Sequence, residues 1–283
     1  MATKIIIDSA SDITMEEAEK LGIILLPIEI QFEDSGYLDG ENITKEEFYN
    51  KLKVCTSLPK TSQINPMRYK EIFEQVVSNG DEAVVLCLSS KLSGTYNGAR
   101  LTAQEYEGKI FAIDTKNACV GQRILCFYAL ELIKKGYNAK KIAEELEKVK
   151  DKVRVIAVID TLKYLRMGGR LSAVAGFVGE MMAIKPLICV NLDGGLDVIG
   201  KAMGYKKGHK MLVDIFKKEG EIDLNKPYVF GYSGNDLKNI NEFIDINAKE
   251  IFDNPTEVPL YQIGSTIGTH VGPGAIAIAY FVK

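Results

Sequence analysis

The chain has 283 residues, 46% hydrophobic and 26% charged, with net charge -3, five cysteines and two histidines. That length suits one large domain or two ordinary ones. There is no basic surplus to neutralise a nucleic-acid backbone, the apolar runs fall far short of a membrane span, and no Cys/His pair has zinc-site spacing. Nucleic-acid binding, stable membrane insertion and a metal centre are therefore not expected. Cys55, Cys87, Cys119, Cys126 and Cys189 are odd in number and scattered, and the first residues enter an apolar strand with no secretory pattern. Reduced thiols in the cytoplasm are the expectation.

A short strand over 4–8 empties into the polar turn Ser9-Ala10-Ser11-Asp12. Thr14 and Glu17 have capping-box spacing for a helix to Leu21, and Thr44 and Glu47 repeat it before a helix through Phe48 and Leu52. Between them, 23–30 is an apolar, β-branched strand with Pro27 inside it, which argues against a central position. A polar loop over 55–66 carries Thr61 and Ser62 and ends in an N-cap Asn65 with Pro66 at the first helical position. The helix that follows places Tyr69, Ile72, Phe73 and Val76 on one stripe.

The stretch 83–94 organises the N-terminal half. An apolar strand over 83–88 stops at Ser89-Ser90-Lys91-Leu92-Ser93-Gly94, and a helix begins near Thr95. Strand, small-residue turn, helix is the order that places hydroxyls and backbone N–H groups beyond a parallel strand's C-terminal end, where ligands bind. It suits an anion or a hydrogen-bonded head group. A strand over 109–114, a helix over 119–135 and an Asn138-capped helix to Lys150 continue the alternation. The fold class expected is α/β, a parallel-sheet N-terminal domain over 1–159 followed by a smaller mixed α/β domain over 160–283.

In the second part, a strand over 153–159 precedes a short helix ended by Gly168-Gly169. Arg170 follows, either a surface residue or a charge near a pocket or partner. The stretch 173–184 is poor in charge and rich in small residues and methionine, so core, subunit interface and pocket lining all suit it. Runs over 185–191 and 196–199 join through Asp193-Gly194-Gly195 as a hairpin. Helices over 205–219 and 236–252 and strands over 228–232, 258–263 and 275–282 complete the pattern. His270 sits between glycine-rich turns, and the flanks Gly268, Gly272 and Gly274 suggest backbone held closely against something.

Enzyme signatures are thin. Gly231-Tyr232-Ser233-Gly234 is one residue short of a nucleophile elbow and reads better as a strand-ending turn. Neither the P-loop nor the dinucleotide glycine pattern occurs. Ser93 and His270, with Asp114 as orienter, would make a serine-dependent acyl hydrolase, which is the alternative reading.

Several segments together resemble the DegV family of bacterial fatty-acid-binding proteins over essentially the whole chain. They are Asp8-Ser9-Ala10-Ser11-Asp12, Thr61-Ser62-Gln63-Ile64-Asn65-Pro66, the stretch from Ser89 to Tyr96, Asp114-Thr115-Lys116-Asn117-Ala118, the stretch from Tyr164 to Arg170, Lys185-Pro186, and His270-Val271-Gly272-Pro273-Gly274. Ile64 departs from the family, where proline is usual. The resemblance implies a long-chain fatty acid such as palmitate, stearate or oleate held between two α/β domains. It implies Thr61 and Ser93 on the carboxylate, His270 in the polar network around it, Ser62 and Gly94 beside them, and Arg170 near the head group or a docking face. It also implies a partner, a separate ATP-dependent fatty acid kinase that makes the acyl phosphate for phospholipid metabolism. This chain would then be no enzyme and need no cofactor. The tail is expected in an apolar slot lined by 173–184 and 23–30.

Overall fold

The computed structural model describes residues 1–33, 35–171 and 183–283. In chain order the first half comprises β1 (Thr3–Asp8), α1 (Met15–Leu21), β2 (Ile23–Leu26), β3 (Glu29–Gln31), β4 (Gly36–Leu38), α2 (Lys45–Val54), β5 (Lys60–Ser62), α3 (Pro66–Ser78), β6 (Glu82–Cys87), α4 (Thr95–Ala103), β7 (Ile110–Asp114), α5 (Cys119–Lys134) and α6 (Ala139–Val149). The second half comprises β8 (Val153–Val158), α7 (Lys163–Met167), β9 (Ile184–Val190), β10 (Leu196–Met203), α8 (Gly204–Phe216), β11 (Val229–Tyr232), α9 (Lys238–Ile246), β12 (Leu260–Gln262), α10 (Ser265–Val271) and β13 (Ile276–Phe281). The helix starts fall where the capping residues call for them. Thr44 and Glu47 close a full capping box on α2, and Asn65 caps α3 ahead of Pro66.

Strands β2, β1, β6 and β7, in that order, form a parallel four-stranded sheet. A six-stranded mixed sheet runs β10, β9, β8, β13, β11, β12, and β4, β3 and β5 make a small antiparallel sheet. The fold is thus α/β, with one parallel sheet and a second mixed one. Helix α5 lies between the two large sheets, because Val120, Ile124 and Leu125 pack into one core with Ile6, Val84, Ala277 and Ala279. The far face of the mixed sheet forms a separate core with α8 and α9.

Three sequence expectations change. The apolar run over 23–30 is two strands rather than one, since Pro27 breaks it and Ile28 N donates to Ser9 Oγ at 3.0 Å. The strand over 153–159, expected with the first unit, pairs with β13 and β9 in the mixed sheet. Buried on both faces, it carries no mark of which sheet it joins. The glycine-rich segment around His270 is not a run of turns but helix α10, with Gly264 and Gly272 as its caps. All five cysteines are free thiols, and among the described residues no helix is long and apolar enough to cross a membrane.

Candidate functional site

A cavity of about 910 Å³, its mouth included, lies between the C-terminal ends of the parallel strands and one face of the mixed sheet. Its apolar wall comes from alternate residues of the sheet: Val155 and Ala157 on β8, Ile188 and Val190 on β9, and Ala277 on β13. Ladder register places Ile188, Ala157 and Ala277 in one row across three strands, continued by Gly231 on β11. Two alanines in the middle of that row leave the space. The glycine at its end lets α5 close the side, because a Cβ on Gly231 would press on Val120. Leu88, Leu92 and Ala118 complete the wall from the turns after β6 and β7, with Cys119 from the start of α5.

The rim is polar. Thr61 comes from β5, Ser93 from the turn before α4, Arg170 from the segment after α7 and His270 from the last turn of α10. His270 Nε2 meets Thr61 Oγ1 at 2.8 Å, while its Nδ1 has no hydrogen-bond partner among the described residues. Burial, reinforced by the nearby Arg170 charge, pushes the His270 pKa down to about 4, so the ring is neutral near pH 7. In the tautomer that carries the proton on Nε2, the ring donates to Thr61 and leaves the Thr61 hydroxyl hydrogen for an acceptor in the cavity. Gly168 sits against this ring, and a side chain there would overlap Nδ1.

Helix α10 is held at its other end. Asp12 Oδ1 accepts from Gly264 N at 2.7 Å, and Asp39 accepts from Ser265 N and Thr266 N at 3.2 and 3.0 Å. Two carboxylates thus sit at the positive end of the helix. Arg170 is anchored as well, its Nε donating to Leu92 O at 3.1 Å and Nη1 to Gly168 O at 2.6 Å. Ser93 Oγ accepts from Thr95 N at 3.3 Å and shares a hydrogen bond with Thr95 Oγ1 at 2.9 Å, a serine turn just ahead of α4.

The structure therefore brings Thr61, Ser93, Arg170 and His270 to one rim, with the exposed Ser62 at its edge. Gly94 is not part of the wall. It is the N-cap of α4 and lies against Gln63, which does line the rim. Asp114 orients no histidine, because its carboxylate accepts from Ser90 N at 3.1 Å and Lys116 N at 3.0 Å. Among the described residues Ser93 and His270 share no hydrogen bond. Of the two segments expected to line the slot, Ile28 does so, while 172–182 lie outside the described residues. The sheet residues of the wall were missed. Their signal was the alternation Ala275-Ile276-Ala277-Ile278-Ala279-Tyr280, small on one face and large on the other.

A family model described as an uncharacterised protein of the DegV family matches residues 2–283. A DegV domain-containing protein of Listeria monocytogenes is 33% identical over 279 residues, covering 98% of either chain. A DegV family protein from Thermus thermophilus, described as fatty-acid-binding, superposes with a TM-score of 0.86 at 26% identity over 100% of both chains. A stearic acid-binding protein from Eubacterium ventriosum superposes at 0.85 with 26% identity, over 100% of this chain and 99% of that one. With the family model spanning nearly every residue and the solved members sharing the whole architecture, the chain belongs to the DegV family.

Proposed function

We propose that the protein binds one long-chain fatty acid, with the tail in the cavity and the carboxylate at the rim formed by Thr61, Ser93, Arg170 and His270. The observation that carries this is the pairing of an apolar cavity with a cluster of polar side chains, Thr61, Ser93, Arg170 and His270, at its rim. About fourteen buried methylenes at ~0.8 kcal/mol each supply roughly 11 kcal/mol before association and ordering costs. The carboxylate needs donors. Thr61, primed by His270, and Ser93 offer hydroxyls, and Arg170 offers positive charge near the rim.

The relatives whose descriptions name fatty-acid and stearic-acid binding support this reading. In the fuller form of the proposal the protein works in the cytoplasm and catalyses no step itself. It holds the acid with its head group at the rim for a separate ATP-dependent fatty acid kinase, which forms the acyl phosphate for phospholipid synthesis. A head group at the mouth of the cavity is where another protein reaches it. The hydrolase reading has less behind it, since His270 engages Thr61 rather than Ser93.

Native mass spectrometry of delipidated protein mixed with palmitate, stearate and oleate tests the core proposal. One acid bound per chain, intact after prolonged incubation, is expected. Protein that takes up none of the three, or an acyl adduct on Ser93, overturns it. Adding a purified fatty acid kinase and ATP tests the second step, read as acyl phosphate formed only when both proteins are present.

A further inference from the structure

The cavity has two ends, and strand register measures the distance between them. Along β8 its wall passes from Ile159, which leads into α7 and the Arg170 segment, through Ala157 to Val155. Four residues of strand span about 13 Å. Ala157 pairs with Ile188, so Val190 lies two positions further on, level with Val155, and Leu196 on β10 pairs with Val190. Val155, Val190 and Leu196 therefore line the cavity at one level, about 13 Å along β8 from Ile159 and on the side away from the polar rim. Val190 has a second exposure, because it also walls a polar pit of about 190 Å³ formed with Lys116, Lys150 and Asp151.

The hairpin that carries Val190 and Leu196 is stiff at its tip and fastened from outside. Asn191 N donates to Gly195 O at 2.9 Å, and Asn191 Oδ1 accepts from Asp193 N and Gly195 N at 3.1 and 2.9 Å. The fully buried Ser89 donates its Oγ–H to Gly194 O at 2.7 Å. Gly194 has φ +87°, and a Cβ there would overlap Ser89 Oγ. Only glycine takes that backbone and that contact at no cost. Ser89 belongs to the same turn as Ser93, so one turn touches the head-group rim with one serine and fastens the opposite wall with another.

We propose that the β9–β10 hairpin is the acyl chain-length stop. Val190 and Leu196 meet the methyl end of the ligand, and Ser89 is the positioning residue that sets how far in they stand. This rests on the fatty-acid reading above and adds the determinant of its selectivity. Each methylene that gains or loses a place in the cavity changes affinity about fourfold.

The test uses delipidated full-length protein equilibrated with an equimolar mixture of saturated acids from C12 to C22, with the bound acids extracted and quantified. Val190→Ala is expected to raise the C20 to C16 ratio at least fourfold. Val190→Phe is expected to shift the profile toward C12 and C14 by tenfold or more. Ser89→Ala is expected to flatten the profile, an outcome that mere loss of stability does not produce. Thr61→Val, at the opposite end, lowers loading equally at every length and leaves the ratios unchanged. If both Val190 variants, folded by circular dichroism, keep the wild-type profile, the stop lies elsewhere and this inference is overturned while fatty-acid binding stands. If wild-type protein extracts no acid from the mixture, the fatty-acid reading falls and the inference falls with it.

Discussion

On one face of the mixed sheet the row Gly231, Ala277, Ala157, Ile188 meets α5 and the cavity. One residue along the same strands, the row Phe230, Ile278, Ile156 faces α8 and α9. There Phe230 packs edge-on against Phe243 and Phe252, with ring centroids 5.7 and 5.5 Å apart. The backbone is shared and the hydrogen-bond ladders are the same. Only side-chain size differs, so the alternation of large and small residues makes one face a core and the other a container. The two histidines divide the same way. His209 is buried on the packed face between Tyr205 and Phe243, and neither ring nitrogen has a hydrogen-bond partner among the described residues. His270 stands at the cavity rim on Thr61.

The contrast can be broken in four ways, of decreasing size. Phe230→Ala is expected to cost about 3–5 kcal/mol in denaturant unfolding, the range for emptying a filled core site. The folded remainder should keep the wild-type acyl profile, and a loss below about 1 kcal/mol would contradict the packed-face assignment. Ala277→Leu runs the other way. Added bulk in a filled core costs about 1–3 kcal/mol. Here it should leave the melting temperature nearly unchanged and cut acyl loading at least tenfold. A variant that binds as well as wild type would show that the alanine row does not make the ligand's space.

Acid separates the histidines. Both have pKa values lowered by burial, His270 to about 4. As pH drops below about 6.5 the unfolded chain takes up protons that the folded chain refuses, so stability falls from there toward the folded pKa. For His270 this amounts to about 2 kcal/mol at most by pH 5. Asp8 acts in the opposite sense. Burial raises its pKa to about 6, so protonation of the folded state restores some stability on the way down. Comparison with single variants cancels the Asp8 contribution. His209→Phe should remove part of the acid loss without altering acyl loading, whereas His270→Gln should remove part of it and weaken binding. Equal effects of the two on loading would erase the distinction between the faces. The smallest effect belongs to Thr61→Val, about 1 kcal/mol or fivefold in affinity by calorimetry, for one lost hydrogen bond.

Much of the fold was legible from local pattern. Apolar periodicity marked α3 and α5, caps marked the starts of α2, α3 and α6, and the alternation of elements pointed to an α/β fold. Strand β5 was not legible, because three polar residues in a loop have no periodicity to show, and their pairing with β3 depends on a partner about thirty residues away. Helix α10 was misread because the glycines that bound it look, in sequence, like the turns they replace.

The site divides along the same line. Local sequence sets which groups are available: a hydroxyl turn after β6, a Thr-Ser pair before Asn65, an arginine after two glycines and a histidine between glycines. Local chemistry is enough for that, since caps, turns and glycine positions are set by near neighbours. Tertiary structure alone decided which groups meet. Thr61 reaches His270 across 209 positions, Arg170 reaches the Leu92 carbonyl across 78, and Ser89 reaches Gly194 across 105. It also decided where the space is. A small residue leaves room only if nothing opposite fills it, and what stands opposite Ala157 and Ala277 is fixed by sheet register and by the approach of α5.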